Sequence, residues 1–215
     1  LEDKLPPYLY DESGALKEWA TTAFEENNEH RHLSHLYGVW PLFETQGNDK
    51  LAKACEQAIA NRQSENEASH ALVHRSLIAS RLKDSDSLTD ALVKLMNHKI
   101  RYDSLMTNHD YDQGSCYCTD FAIGYLGIIN EALVYSHNDD IEFLPALPNS
   151  GFENGTLKGI KTRNRATVTE LKWADSGKTI SATVTSDIDQ KLNIKAGGKS
   201  QTVEFKAGES KTFRF

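Results

Sequence analysis

The sequence predicts an α+β fold with two domains, helical over residues 1–140 and built of β-strands over residues 141–215. Apolar residues recur at helical spacing in the first part. From about residue 145 the apolar period becomes two, as in residues 167–173. The charge divides at nearly the same place. The first 150 residues hold 12 Lys and Arg against 24 Asp and Glu, a net charge of −12, whereas the remainder holds 12 against 7, a net charge of +5.

The helical part should contain four long helices and two shorter helical turns. A helix capped by Asn48 or Asp49 is expected to run to about residue 61, and the third helix should start at a cap formed by Ser85 or Ser87. The segment 120–137 is apolar on nearly every side, which predicts a deeply buried helix. The other predicted elements are a helix over residues 68–82 and short turns near residues 15–24 and 33–39.

The β part alternates apolar and polar residues, so one face of each strand should be buried and the other solvated. Turn signals separate the strands at residues 175–177, 197–198 and 207–208. Strands joined by such short turns pair in antiparallel fashion. We therefore expect a small antiparallel β domain at the C-terminal end.

The composition excludes several classes of function. The chain has 215 residues, a net charge of −7 and no apolar run near the ~20 residues that a membrane-spanning helix needs. A net acidic chain with scattered lysines is a poor nucleic-acid binder. Three cysteines, Cys55, Cys116 and Cys118, are an odd number and form no disulfide framework. The chain begins at Leu1 without Met, from which we expect a processed protein or a piece of a longer one.

Three imidazoles and a guanidinium lie within six positions, at His30, Arg31, His32 and His35. Histidine donates and accepts hydrogen bonds and Arg donates several, so this cluster can bind a hydroxyl-rich ligand such as a sugar. Two other interpretations stay open. The histidines can be metal ligands, although the spacing lacks the His-Glu-x-x-His pattern, or they can be structural residues bonded to the backbone.

Two carboxylates are candidates for acid–base chemistry. Glu18 precedes Trp19, and apolar surroundings would keep its carboxyl group protonated, as a general acid requires. Asp120 heads the apolar segment 120–137, where the unpaired N–H groups of a helix start stabilise a negative charge. The alternatives are a surface glutamate for Glu18 and a simple helix cap for Asp120. In the functional interpretation the two form the carboxylate pair of a glycosidase.

These segments, in this order and spacing, resemble glycoside hydrolase family 95, the family of α-L-fucosidases. The most specific is the His-Arg-His-x-Ser-His-Leu element that begins at His30. The likeness covers nearly the whole chain. It rests on Leu5-Pro6-Pro7-Tyr8, Lys17-Glu18-Trp19, His30-Arg31-His32-Leu33-Ser34-His35-Leu36-Tyr37-Gly38, Asp120 through Glu131 to Ser136-His137, Leu144-Pro145-Ala146-Leu147-Pro148 and Gly155-Thr156-Leu157-Lys158-Gly159-Ile160.

The resemblance implies a fold and a reaction. Residues 1–140 would be the last helices of an (α/α)6 barrel and residues 141–215 a small antiparallel β-sandwich. The reaction would be the inverting hydrolysis of terminal α-1,2-linked L-fucose, or of α-L-galactose in some members. Glu18 would be the general acid. Asp120 would help to activate water through asparagines that lie upstream of the matching segment.

The sequence departs from the family pattern at two places. Phe121-Ala122-Ile123 replaces the Gly-Asn-Phe that follows the aspartate, and His70 and His74 stand where tryptophans are usual. An aromatic platform for a sugar face has thereby become polar. These departures bear on which sugar is bound more than on whether the protein is a hydrolase.

The resemblance also sets expectations for partners and location. We expect a periplasmic or secreted protein that acts on an oligosaccharide or polysaccharide, with no cofactor or metal and no nucleic-acid partner. The N-terminal portion of the same protein would complete the barrel. The rival hypotheses are a non-catalytic carbohydrate-binding or structural fragment and a histidine-based metal hydrolase.

Overall fold

The computed structural model describes residues 4–62, 68–96, 107, 109 and 116–215. Four helices are followed by nine strands that form two sheets. None of the described helices is long and apolar enough to span a membrane. The helix bounds are Asp49–Asn61 (α1), Ser69–Leu82 (α2), Ser85–Leu95 (α3) and Thr119–Leu133 (α4).

Helices α1 and α2 form as the apolar spacing predicts. The side chain of Asn48 caps α1 by accepting a hydrogen bond from the Leu51 N–H at 3.1 Å. The apolar stripe of α1 is buried, and most residues of α2 are buried as well. Within α2 the hydroxyls of Ser76 and Ser80 donate to the carbonyls four residues earlier, at 2.7 and 2.8 Å, which allows these polar residues to be buried.

Of three further helix predictions, two need correction and one is confirmed. The cap of α3 is Asp84, whose carboxylate accepts from the Ser87 N–H at 3.0 Å, so neither Ser85 nor Ser87 is the cap. No helical turn forms near residues 15–24, because the Leu16 N–H donates to Ala54 O and the Lys17 N–H to Leu9 O. The turn predicted near residues 33–39 does form, as a 3-10 helix over Ser34–Gly38.

Helix α4 differs from its prediction in length and in burial. It ends at Leu133, and the next four residues form the first strand because they pair with the following strand. The helix is also not buried all round. Ile123 is 77% exposed and Leu126 70% exposed, while Phe121 and Ile128 lie on the buried side.

The strands form a mixed four-stranded sheet and an antiparallel five-stranded sheet. The first has the order β1-β2-β7-β8 and the second the order β3-β5-β6-β9, with β4 also paired to β5. The strand bounds are Val134–His137 (β1), Asp140–Phe143 (β2), Gly155–Leu157 (β3), Ile160–Lys161 (β4), Ala166–Ala174 (β5), Thr179–Ser186 (β6), Gln190–Ala196 (β7), Lys199–Phe205 (β8) and Ser210–Arg214 (β9).

The expectation of a wholly antiparallel domain is wrong at one pair, since β2 runs parallel to β7. These two strands are separated along the chain by β3, β4, β5 and β6, so their direction is not set by a short turn. Both sheets contribute to one apolar core, with Ile141 and Ile194 from the first and Val168, Leu171 and Val184 from the second. Their inward-facing residues alternate with exposed ones, as the sequence period predicts.

Candidate active site

The histidine-rich segment is held in place by its C-terminal neighbours. Leu33, Leu36 and Val39 are buried in the core of the helical unit. The 3-10 helix Ser34–Gly38 brings Leu36 and Val39 onto the same side, since its turn takes about three residues. The preceding residues 30–32 are therefore fixed at the edge of this core and remain half-buried.

Arg62, at the end of α1, binds the same segment through its guanidinium group. Its side chain is 2% exposed. Nη1 donates to the carbonyl oxygens of Asn27 and His30 at 2.6 and 3.0 Å. Nη2 lies 3.3 Å from Glu18 Oε2 and 3.5 Å from His35 Nδ1. A buried guanidinium needs several acceptors, and these four groups supply them.

Glu18 lies in a different setting from the one its sequence suggested. Its carboxylate is paired with Arg62 and its backbone N–H donates to Glu26 Oε2 at 2.7 Å. Trp19 is 44% exposed and packs edge-on against Phe24, with ring centroids 5.3 Å apart. The Arg62 guanidinium, 2% exposed, is thus an ion-pair partner of this carboxylate within the folded structure. The role of Glu18 as proton donor stays a prediction.

A row of imidazoles leads from the predicted cluster to the second carboxylate. The rings of His30 and His32 are 5.0 Å apart, and those of His32 and His70 are 5.5 Å apart. His70 Nδ1 then lies 3.4 Å from Asp120 Oδ1. The row thus joins two predicted substrate-binding residues to Asp120 through a histidine on α2.

Burial and neighbouring positive charge lower the pKa values of His35 and His32, which favours the neutral form of both imidazoles. The pKa of His35 falls to about 4, mainly through burial and further through the Arg62 charge and His74. The pKa of His32 is also lowered, first by burial and then by His30, Arg31, His70 and His109. A neutral imidazole has one donor and one acceptor, which suits recognition of hydroxyl groups.

A cavity of about 410 Å³ lies between the 3-10 segment, α2 and the start of α4. This volume is within the usual range of about 300–1,000 Å³ for small-molecule sites. Asp120 stands at its rim, with a side chain that is 56% exposed. The lining residues are Tyr37, Trp40, His70, Val73, His74, Leu77, Thr119, Asp120, Ile123 and Gly124.

His74 contributes its ring to the wall of this cavity. The ring lies 5.5 Å from that of Tyr37. Its pKa is lowered, mainly by burial, although a hydrogen bond to the backbone of Trp40 acts in the opposite direction. Its Nε2 is buried from solvent and has no hydrogen-bond partner within the part of the chain that the structure describes.

Gly124 allows α4 to approach α2 beside the cavity. A Cβ at this position would lie 2.8 Å from Val73 Cγ1, closer than a methyl group allows. The absence of a side chain therefore lets the start of α4 sit close to α2. Asp120 is carried on that first turn, four residues earlier, and so reaches His70.

The predicted site residues fall into two groups. His30 and His32 belong to the row that ends at Asp120, whereas His35 and Glu18 meet at Arg62. Among the described residues, the cavity lining includes Asp120 but does not include Glu18. Arg31, the remaining predicted substrate-binding residue, is half-buried.

Four residues of this region were missed as site residues. His70 and His74 were noted only as departures from the family pattern, and Trp40 and Arg62 were not considered. His70 and His74 are four residues apart on one helix, which places them on the same face. This spacing was the feature of the sequence that could have identified them as a pair. Arg62 gave no local signal, because its partners are 27 to 44 positions away in sequence.

The histidines do not assemble a metal centre in the described part of the chain. Within residues 4–62, 68–96, 107, 109 and 116–215, no group of three or more His, Cys, Asp or Glu residues has a geometry that could hold a metal ion. The three described cysteines are free thiols.

Comparison with known proteins assigns the chain first to a class, the glycoside hydrolases. Residues 1–133 match the model of the glycosyl hydrolase family 95 catalytic domain. Residues 135–214 match that of the glycoside hydrolase family 95 C-terminal domain. The chain therefore belongs to glycoside hydrolase family 95, as the His-Arg-His element indicated.

Two curated relatives cover much of the chain. An "Alpha-L-fucosidase 2" from Arabidopsis thaliana is 29% identical over 222 residues, which cover 98% of this chain and 25% of that protein. A "Probable alpha-fucosidase A" from Aspergillus oryzae is 27% identical over 196 residues, covering 80% of this chain and 27% of that protein. The chain thus spans about a quarter of the length of these relatives.

One solved structure is similar in fold. A "Putative kojibiose phosphorylase from human microbiome" superposes with a TM-score of 0.51 at 15% identity. The match covers 87% of this chain and 25% of that one. At this identity the likeness concerns the fold alone.

Proposed function

We propose that this chain forms the C-terminal part of an inverting α-L-fucosidase, which removes terminal α-linked L-fucose, chiefly α-1,2-linked, from oligosaccharides or polysaccharides. Family membership and the two fucosidase-named relatives support the proposal. In the same proposal the helices belong to an (α/α)6 barrel, the strands form a β-sandwich, and the protein acts in the periplasm or outside the cell. The missing barrel helices come from the N-terminal portion of the same protein.

The observation that carries this proposal is a carboxylate beside histidines at a sugar-sized cavity. Asp120 stands at the rim, and His70 and His74 are among the residues that line the wall. Tyr37 and Trp40 add aromatic surface, which packs well against the C–H face of a sugar. Such a site offers apolar contact on one side and hydrogen bonds on the other, as sugar recognition requires.

The chemistry of inversion assigns roles to the two carboxylates. One carboxylic acid protonates the leaving oxygen, and a base on the opposite face activates water, with carboxyl groups roughly 6.5–9.5 Å apart. Asp120 takes the water side, acting with asparagines from the upstream portion. Glu18 is this chain's candidate proton donor. Its ion pair with Arg62 favours a structural role, in which case the proton donor would lie in the portion of the relatives that this chain does not match.

The substitution Glu18→Gln separates these two roles. In the full-length gene product, loss of a general acid lowers turnover by about 10²–10⁴-fold on natural fucosides. Activity on an activated aryl fucoside should be retained, because a good leaving group needs little protonation. Loss of a structural ion pair would instead lower the melting temperature and reduce activity on both substrates alike. The second pattern would show that the proton donor is a residue other than Glu18.

Inversion itself is tested by the product. Early in the reaction, NMR spectra of the full-length gene product with a 2′-fucosylated oligosaccharide should show β-L-fucose before mutarotation. Early α-L-fucose would contradict the inverting mechanism. Failure to release any sugar, from a protein that still binds the oligosaccharide, would favour the non-catalytic hypothesis.

A second candidate substrate is the α-L-galactoside. His70 and His74 make one wall of the cavity polar, and an imidazole there can bond the extra hydroxyl that L-galactose has relative to L-fucose. The same assay with matched α-L-fucosides and α-L-galactosides decides between them. A kcat/KM that is higher for the galactoside would replace fucose as the proposed substrate.

A further inference from the structure

Asp120 is the proposed water-side carboxylate, but nothing in the sequence shows what fixes its orientation. It is the second residue of α4 and its side chain is more than half exposed. A carboxylate in that position can rotate among several rotamers. Positioning matters here, since a misplacement near 1 Å can cost about a hundredfold in rate.

Among the described residues, two side chains contact the carboxylate, one at each oxygen. His70 Nδ1 lies 3.4 Å from Oδ1, and Cys118 Sγ lies 3.8 Å from Oδ2. The thiol is a weak donor, whereas an imidazole N–H is a strong one. The shorter contact comes from α2, whereas the partner of Oδ2 is one that water can readily displace.

Further contacts of the His70 ring and of its neighbouring backbone hold this residue in place. Its ring lies 5.5 Å from that of His32 in an edge-to-face arrangement, and the N–H of the preceding residue, Ser69, donates to His109 O at 2.6 Å. The close approach of α4 to α2 at Gly124 fixes the distance between the two helices nearby. His70 is thus supported well enough to orient another side chain.

We infer that His70 is a positioning residue, whose imidazole holds Oδ1 of Asp120 so that Oδ2 faces the reacting water. This inference rests on the proposed function, in which Asp120 serves the water side. In this role His70 acts on the water through Asp120 and not by direct contact with the water. The role belongs to this chain's own departure from the family pattern, since His70 stands where a tryptophan is usual.

A double-mutant cycle in the full-length gene product tests the inference. His70→Phe keeps an aromatic ring but removes the donor, and it should lower kcat by about 10–100-fold with little change in KM. In the Asp120→Asn background the same change should produce no further loss, because its effect passes through the carboxylate. His70→Asn, whose amide nitrogen can occupy the position of Nδ1, should recover part of the loss.

We expect the losses of kcat caused by the two substitutions to be non-additive, and His70→Asn to recover part of the loss. Additive losses in the cycle, or a rise in KM without a fall in kcat, would overturn the inference and make His70 a substrate-binding residue. A drop in melting temperature for His70→Phe, with His70→Asn equally impaired, would make it purely structural.

A second measurement does not depend on activity. In the 215-residue chain, Asp120→Asn should shift the side-chain ¹⁵N resonances of His70, while those of His137, in the β unit, stay unchanged. No change at His70 would show that the contact is absent in solution and would overturn the inference. If the resonances move but the wild-type enzyme releases no fucose or galactose, the proposed function fails while the contact stands.

Discussion

Arg62 is the residue on which the N-terminal segment depends most. It joins Glu18, the carbonyls of Asn27 and His30, and His35 through one buried guanidinium. Removing one partner of a buried ion pair costs about 3–5 kcal/mol, because the other charge stays buried. Arg62 therefore holds in place the segment that contains the predicted histidine cluster. A substitution of Glu18 also removes a partner of Arg62, so its effect on activity has to be separated from its effect on stability.

At the same scale, His35 should make stability depend on pH. Its pKa is about 4 in the folded chain, lowered by burial and by Arg62, against about 6.5 when unfolded. The unfolded chain therefore binds this proton first, so stability is full above about pH 6.5 and is lost as pH falls towards 4. The single-site loss is of the order of 2–3 kcal/mol at pH 4, and His32 and His74 act in the same direction.

Urea unfolding of the wild-type chain and of His35→Asn at pH 7 and pH 4.5 measures this loss. The asparagine keeps an acceptor near the position of Nδ1 but does not titrate, so the variant should lose less stability on acidification. His137→Asn is the control, since this histidine lies in the β unit. An identical acid dependence in wild type and His35→Asn would contradict the prediction.

At the scale of single residues, some features of the candidate site could be predicted from the sequence and others could not. The segment from His30 to His35 and the residue Asp120 were identifiable because each carries a local pattern of residue types. The environment of Glu18 was not, since the apolar setting inferred from Trp19 is replaced by a charge from a residue 44 positions away. Neighbours in sequence set a carboxylate's environment only when the chain folds them against it.

At the scale of the elements, strand β3 can pair with β5 because its first residue is a glycine and has no side chain. Gly155 pairs with Trp173 of β5, and a Cβ at position 155 would overlap the indole ring. The same ring donates from Nε1 to Phe152 O at 2.7 Å, so it has little freedom to move away. The glycine is required here by close approach.

Gly155→Ala should therefore destabilise the chain by about 1–3 kcal/mol. For a chain of this size, 1 kcal/mol corresponds to roughly 2–4 °C in Tm. The fluorescence of Trp173 should shift to the red as its hydrogen bond and packing are disturbed. Thr156→Ala, at the exposed neighbouring position of the same strand, is the matched control and should leave Tm nearly unchanged. Equal effects of the two variants would refute the packing argument.

The helix and strand predictions differ in accuracy for a physical reason. Helices α1, α2 and α3 and the strands after residue 160 were predictable because their apolar period persists over many residues. The end of α4 was not, because Val134 to His137 are compatible with either structure and pairing with β2 decides between them. The parallel pairing of β2 with β7 likewise depends on partners distant in sequence.

At the scale of the whole molecule, the chain presents apolar surface that its own residues do not cover. Ile123 and Leu126, on one side of α4, are 77% and 70% exposed, although the sequence predicted burial on every side. Exposed apolar side chains in number mark a surface that another element covers. In the proposed function this element is the upstream part of a barrel, and the chain spans about a quarter of the length of its curated relatives.

The last prediction is that residues 1–215 alone hydrolyse no fucoside. Inversion needs a protonated acid on one face of the sugar and an activated water on the other. In the proposed mechanism Asp120, in contact with His70, serves the water, but among the described residues Glu18 is paired with Arg62 and does not line the cavity. The asparagines that the resemblance assigns to the water lie upstream. Binding of fucose or of a fucosylated oligosaccharide can persist, because the cavity and its histidines are present.

The test compares residues 1–215 with the full-length gene product in one assay of fucose and L-galactose release. Titration of the fucosylated oligosaccharide into the 215-residue chain, followed by NMR, measures binding separately. The mixture of this chain with a separately expressed upstream portion should restore turnover if the apolar face of α4 is the surface on which that portion docks. Turnover by residues 1–215 alone at the rate of the full-length product would show that the acid, the base and the water site are all contained in this chain, and Glu18 would then regain the general-acid role in spite of its ion pair.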